Sequence, residues 1–366
     1  MSRLSTVLFL AVALNLMPAK SSAGSGSPQT PRAPRDPAAL KYHPEVFSNG
    51  GEASGWLLVA NKGAHTLGIV DPNEGKQIAQ VPEGGITGHE VAASPDGKTA
   101  FVPIYGNSGV GKPGTDGKKI AVIDIESRRV TGDIDFSHGV RPHCPVFGPK
   151  DGLLYVTTEL DKTISIIDPR TLKIIGSIPT DQPESHMLAL AHDGTRGYTA
   201  NVGPGTVSVL DMQARKTLKV IPISHETQRI SITPDDKWVF TADQTKPQLA
   251  AIDTSTDEIK HWIPLPGLGY GTAATQDGHW LIVAVPTVNK VSIVDLQSFQ
   301  VVHNIDVPKA PQEVLIRPDG KVAYVSCDAS HQVAAIGIPD WKVQLITAGP
   351  GADGLAWASI KSPRSR

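Results

Sequence analysis

Short apolar runs that close on aspartate recur along the chain: TLGIVD at 66–71, KIAVID at 119–124, TISIID at 163–168, TVSVLD at 206–211, QLAAID at 248–253 and KVSIVD at 290–295. A seventh run, QVAAIG at 332–337, ends on Gly337 instead. From Asp124 onward the intervals are 44, 43, 42, 42 and 42 residues. The first interval is 53, so the second repeat carries eleven extra residues, which fall in the Gly-rich stretch 106–118. A second signal keeps phase with the first: SPDG at 94–97, PKDG at 149–152, AHDG at 191–194, TPDD at 233–236, TQDG at 275–278 and RPDG at 317–320. Asp-Gly between apolar runs predicts a tight hairpin. Each such turn leads into a further strand: AFVPIY, LLYVTT, GYTANV, WVFTAD, WLIVAV and VAYVSC.

Each unit therefore reads as four strands. Strand a precedes the turn, b follows it, c is the aspartate-ending run, and d is the apolar run after it, such as KIIGSI at 173–178. Short strands at even spacing imply a sandwich, barrel or propeller, and a period near 42 with four strands per unit selects the propeller. The expectation is an all-β, seven-bladed β-propeller with four antiparallel strands per blade, spanning 51–360. The first unit begins at strand b with WLLVAN at 56–61, and the C-terminus supplies an unmatched strand a, GLAWAS at 354–359. Pairing the two closes the ring and removes an exposed edge.

The repeat text SPDGKTAFVPIY, DGLLYVTTEL and RPDGKVAYVSC resembles the bacterial YVTN-type propeller repeat, and the resemblance covers 56 to 360. The Trp-Asp pair of WD repeats is absent.

Residues 1–23 read as a signal peptide, with Arg3 in the positive region, a mainly apolar stretch from Leu4 to Met17, and Ser21, Ser22 and Ala23 at the cleavage site. No Cys follows that would carry a lipid anchor. Residues 24–50, rich in Gly, Ser and Pro at their start, read as a linker, and 361–366 as a tail. A periplasmic or secreted, monomeric protein without a membrane span is expected. The formal net charge of −2 offers no basic face for nucleic acid. Cys144 and Cys327 fall in non-adjacent repeats and form no Cys-x-x-Cys, so neither a disulfide nor a redox pair is expected.

Aligning the repeats on the turn puts one residue per blade at the channel end of strand a: His89, His143, His186, Gln228, Tyr270, Gln312 and, by pattern, Asp353. Glu90 and Arg229 each follow their ring residue, and Tyr105 and Glu159 end strand b at the same mouth, which the 106–118 insertion overhangs. Three imidazoles at one level suit a divalent metal of unspecified identity held by His89, His143 and His186, or a small ligand touching Glu90, Tyr105, Gln228, Tyr270 and Gln312. Alternatively, a His base, a carboxylate and an Arg suit ester or lactone hydrolysis. A third reading makes the face a scaffold for proteins or cell-wall polymers.

RPHCPVFGPKDGLLYVTTEL at 141–160 resembles a segment of lactonase-type propellers, the phosphogluconolactonase and carboxymuconate-cyclase relatives. That resemblance implies active-site roles for His143 and Glu159 and a substrate-binding role for Arg229. Thr158 departs from the Asn usual there. The aspartates ending the c strands, and those of the Pro-Asp-Gly turns, are expected to cap turns through local backbone N–H groups.

Overall fold

The computed structural model describes residues 54–360. The leader (1–23), the linker (24–50) and the tail (361–366) lie outside the described residues. Strands β1 (Gly55–Asn61), β2 (Thr66–Asp71) and β3 (Lys76–Pro82) open the chain, followed by β4 (Ala92–Ala93), β5 (Thr99–Gly106), β6 (Asp116–Asp124) and β7 (Arg129–Asp135). The same a-b-c-d succession repeats from β8 (Pro142–Phe147), β12 (Ser185–Leu190), β16 (Thr227–Ile232), β20 (Thr272–Ala274) and β24 (Pro311–Ile316), and β28 (Ala352–Ser359) ends it.

Hydrogen bonding sorts these strands into five four-stranded sheets and one eight-stranded sheet. The eight-stranded sheet consists of two antiparallel quartets that touch at one parallel bridge, Thr347 to Lys76. One quartet contains the predicted closure: β1 pairs antiparallel with β28, placing Leu57 opposite Trp357 and Val59 opposite Leu355. The architecture is all-β and propeller-like, with the two ends of the described chain joined in one sheet.

The aspartate-ending c strands are buried along their length, as in Thr163–Asp168, where the four inner residues are all buried. These strands carry apolar or small residues on both faces because a neighbouring sheet covers each face, and the core clusters accordingly draw on adjacent sheets. The d strands, such as Lys173–Pro179, lie at the rim and are largely exposed.

The turn aspartates cap as expected. Asp211 Oδ1 accepts from the Gln213 and Ala214 N–H groups at 3.0 and 2.8 Å, and Asp295 Oδ1 from Gln297 and Ser298 at 3.0 and 2.7 Å. In the a–b turns, Asp193 and Asp319 accept from the N–H two residues on. Both cysteines are buried free thiols.

Candidate active site

Five of the a strands, β8, β12, β16, β24 and β28, carry a β-bulge near their start, and the bulged residues are the ring residues or their neighbours. In β12, His186 is the extra residue between Ser185, paired with Asn201, and Met187, paired with Ala200. In β16 the extra residue is Arg229, between Gln228 and Ile230. His143 and Cys144 in β8, Gln312 and Glu313 in β24, and Asp353 and Gly354 in β28 sit in matching register shifts. A bulge lifts a residue off the ladder and re-aims its side chain. Arg229, at φ 55°, and Arg141, just before β8 at φ 49°, are held in the left-handed region.

Glu159 is the centre of a buried cluster. Its Oε1 accepts from Arg141 Nη1 at 3.2 Å and from the Gly111 N–H at 3.3 Å, while its Oε2 accepts from the Tyr105 hydroxyl. His186 Nδ1 lies 3.6 Å from the same Oε2. Arg141 is also tied by Nε to Asp116 at 2.7 Å and by Nη2 to the Lys112 carbonyl at 2.7 Å. His143 stacks on His186 with ring centroids 3.5 Å apart and planes 28° apart, and His89 meets His143 edge-on at 5.5 Å. Tyr105, Glu159, His143 and His186 are all buried.

These surroundings set the charges. Burial pushes all three imidazoles down: His89 to about 4, His143 well below the usual histidine value, and His186 below it in spite of the nearby Glu159. Burial alone would raise Glu159, but the His186, Tyr105 and Gly111 contacts outweigh it and hold the carboxyl below its ordinary value. Burial and the Glu159 charge keep Tyr105 a phenol. At neutral pH the cluster is thus an ionised carboxylate beside an uncharged imidazole, with a guanidinium on the other side.

The stack of His143 on His186 turns ring faces toward each other rather than nitrogens toward a shared centre. Among the described residues no group of three or more His, Cys, Asp or Glu is disposed to hold a metal ion. The Nδ1 atoms of both stacked rings are buried without a hydrogen-bond partner.

Arg229 belongs to a second group. Its Nη1 donates to Glu90 and, at 2.5 Å, to Glu313, and its Nη2 donates to Asp353 at 3.1 Å. The Tyr270 ring lies under the guanidinium at 4.9 Å. Lys62 bridges Asp353 and Asp328, each at 3.1 Å. The guanidinium that meets Glu159 is therefore Arg141, while Arg229 is engaged by three carboxylates. Gln228 keeps a buried, unpartnered Oε1, and Gln312 turns its amide toward the Ala310 carbonyl.

Arg141 and Glu313 were not singled out from the sequence, although both flank ring positions. Glu313 follows Gln312 just as Glu90 follows His89 and Arg229 follows Gln228, so the next register of the same alignment would have found it. Arg141 stands two residues before His143, and only the fold shows that it reaches the end of the following strand b. On the surface nearby, His138 joins Asp161 at 2.9 Å.

A cavity of about 350 Å³ adjoins the cluster, lined by Gly111, Lys112, Arg141, Glu159, Lys162 and Glu184 among others. No helix among the described residues is long and apolar enough to cross a membrane.

No family model matches the chain, and no curated protein matches it. Solved structures do. Hydrazine synthase of Kuenenia stuttgartiensis superposes with a TM-score of 0.68 at 19% identity, over 79% of this chain and 94% of that one. A functionally unknown protein from Desulfotomaculum acetoxidans DSM 771 superposes with a TM-score of 0.69 at 12% identity, over 84% of this chain and 100% of that one. At these identities the likeness is one of fold alone.

Proposed function

We propose that the chain is an exported seven-bladed propeller that hydrolyses an ester or lactone at the Glu159–His186–Arg141 cluster. Counting the two quartets of the eight-stranded sheet as separate blades gives the seven. The leader-like residues 1–23 support export, and the local match over 141–160 supports a lactonase-type relationship.

The observation that carries the reading is the placement of buried His186 with Nδ1 3.6 Å from Glu159 Oε2. A proton on Nδ1, facing the carboxylate, leaves the Nε2 lone pair to take a proton from water. Glu159 then steadies the imidazolium that forms, as an orienting carboxylate does for a base histidine. Arg141, hydrogen-bonded to Glu159 Oε1, holds that carboxylate in place beside the imidazole. His143, stacked on His186, fixes the ring plane of the base.

The test is turnover of a panel of lactones and carboxylic esters by the purified protein. Glu159→Gln and His186→Asn are each expected to cut kcat/KM by about 10²-fold or more with the circular dichroism unchanged. The acid limb of the wild-type profile should lie below the usual histidine range, because activity needs uncharged His186 and burial lowers its pKa. A panel with no substrate turned over above buffer, or a His186→Asn variant at the wild-type rate, would falsify the reading.

A further inference from the structure

The insertion that lengthens the second repeat is a hairpin whose far end rests on the Glu159 cluster. Its base is paired: the Asn107 N–H donates to the Thr115 carbonyl at 3.2 Å, and the Thr115 N–H to Asn107 Oδ1 at 2.7 Å. Residues 111–116 are exposed, yet three polar contacts tie this exposed stretch to buried groups. The Gly111 N–H reaches Glu159, the Lys112 carbonyl accepts from Arg141 Nη2, and Asp116 accepts from Arg141 Nε. Arg141 thus makes two of the three contacts and also holds Glu159.

Gly111 is suited to this seat. It lies at φ 63°, where a side chain is strained, and a Cβ there would stand 2.4 Å from Glu184 Oε1. The left-handed backbone at Gly111 brings its N–H to the Glu159 carboxylate, and a side chain there would be strained and would have to displace the Glu184 carboxylate. With the hairpin down, Glu159 is only 2% exposed and Arg141 5%. A reacting carboxylate that buried needs a way in. An exposed hairpin anchored by a few polar contacts is the kind of element that opens at low cost.

We propose that residues 107–117 form a gate over Glu159, with Arg141 as the latch and Gly111 as the residue that lets it shut. What the gate admits rests on the hydrolase reading above; its opening and closing do not. Arg141 is a positioning residue here, because one guanidinium orders both the gate and the carboxylate beneath it.

Amide hydrogen exchange by mass spectrometry on the full chain, without substrate, tests the gate directly. In Asp116→Ala one latch contact is gone, and in Gly111→Ala the seat is blocked. Each variant is expected to exchange 107–117 at least tenfold faster than wild type, about 1.4 kcal/mol of lost closure. Exchange in Arg196–Asn201, a buried strand of another sheet, should stay unchanged. Equal exchange of 107–117 in wild type and both variants overturns the gate, as does a wild-type segment that already exchanges at the free-peptide rate. A failure of the hydrolase reading would leave these outcomes as stated, since no turnover is measured.

Discussion

Buried charge dominates this molecule at the scale of single residues, and its cost is met in two ways. Arg229 illustrates the first: it is 3% exposed but faces Glu90, Glu313 and Asp353, so its charge is balanced inside the protein. Both terminal nitrogens of a guanidinium expected from the resemblance to bind substrate are thereby engaged by the protein itself, while its Nε is buried without a partner among the described residues. Glu83 illustrates the second way. It is 2% exposed, accepts one hydrogen bond from the Gly88 N–H at 2.5 Å, and among the described residues has no cation partner and no partner for its Oε2. Burial pushes its carboxyl up to about 7, against the pull of the Gly88 N–H. The folded protein therefore keeps a proton that the unfolded chain releases from about pH 4.5 upward, and stability falls as pH rises through that window and levels off above about 7. Glu83→Gln removes the titration while keeping an acceptor for Gly88. The variant is expected to gain up to about 3 kcal/mol over wild type at pH 8 and nothing at pH 4. Urea midpoints at the two pH values measure the difference, and an equal gain at both would contradict it.

The strands were legible in the sequence because each repeat states its own geometry. The four inner residues of Thr206–Asp211 are apolar or small, and all are buried, since neighbouring sheets cover both faces. The aspartate that closes the run accepts from two N–H groups of the following turn. Asp211→Ala leaves those donors to water and is expected to cost about 1 kcal/mol, read as a lowered urea midpoint with the slope unchanged. A loss near zero would mean the turn holds without its cap. The bulges were not legible. A repeat aligned on turns counts residues, and the same count serves a regular strand and one with an extra residue lifted off the ladder. The bulge decides whether His186 and Arg229 follow the pleat or leave it, so the contacts of these side chains could not be read from spacing alone.

Closure is the property of the whole molecule. β28 comes from the far end of the chain and pairs along β1 from Gly55 to Asn61. Removing Ala352–Ser359 would strip the inner neighbour from β1 and expose a long apolar edge. Loss of the cooperative thermal transition and a shift to aggregate in gel filtration are expected, and a truncated protein that stays monomeric with an unchanged melt would argue that the pairing is dispensable. The sequence by itself determined the repeat, the turn chemistry and the closure, because each depends on local pattern and a fixed period. Only the tertiary structure decided which charges meet: that Arg141 rather than Arg229 holds Glu159, that His143 and His186 stack, and that Glu90, Glu313 and Asp353 converge on one guanidinium. Those pairings join residues up to 139 positions apart. They depend on where neighbouring sheets aim their side chains, which periodicity along the chain does not encode.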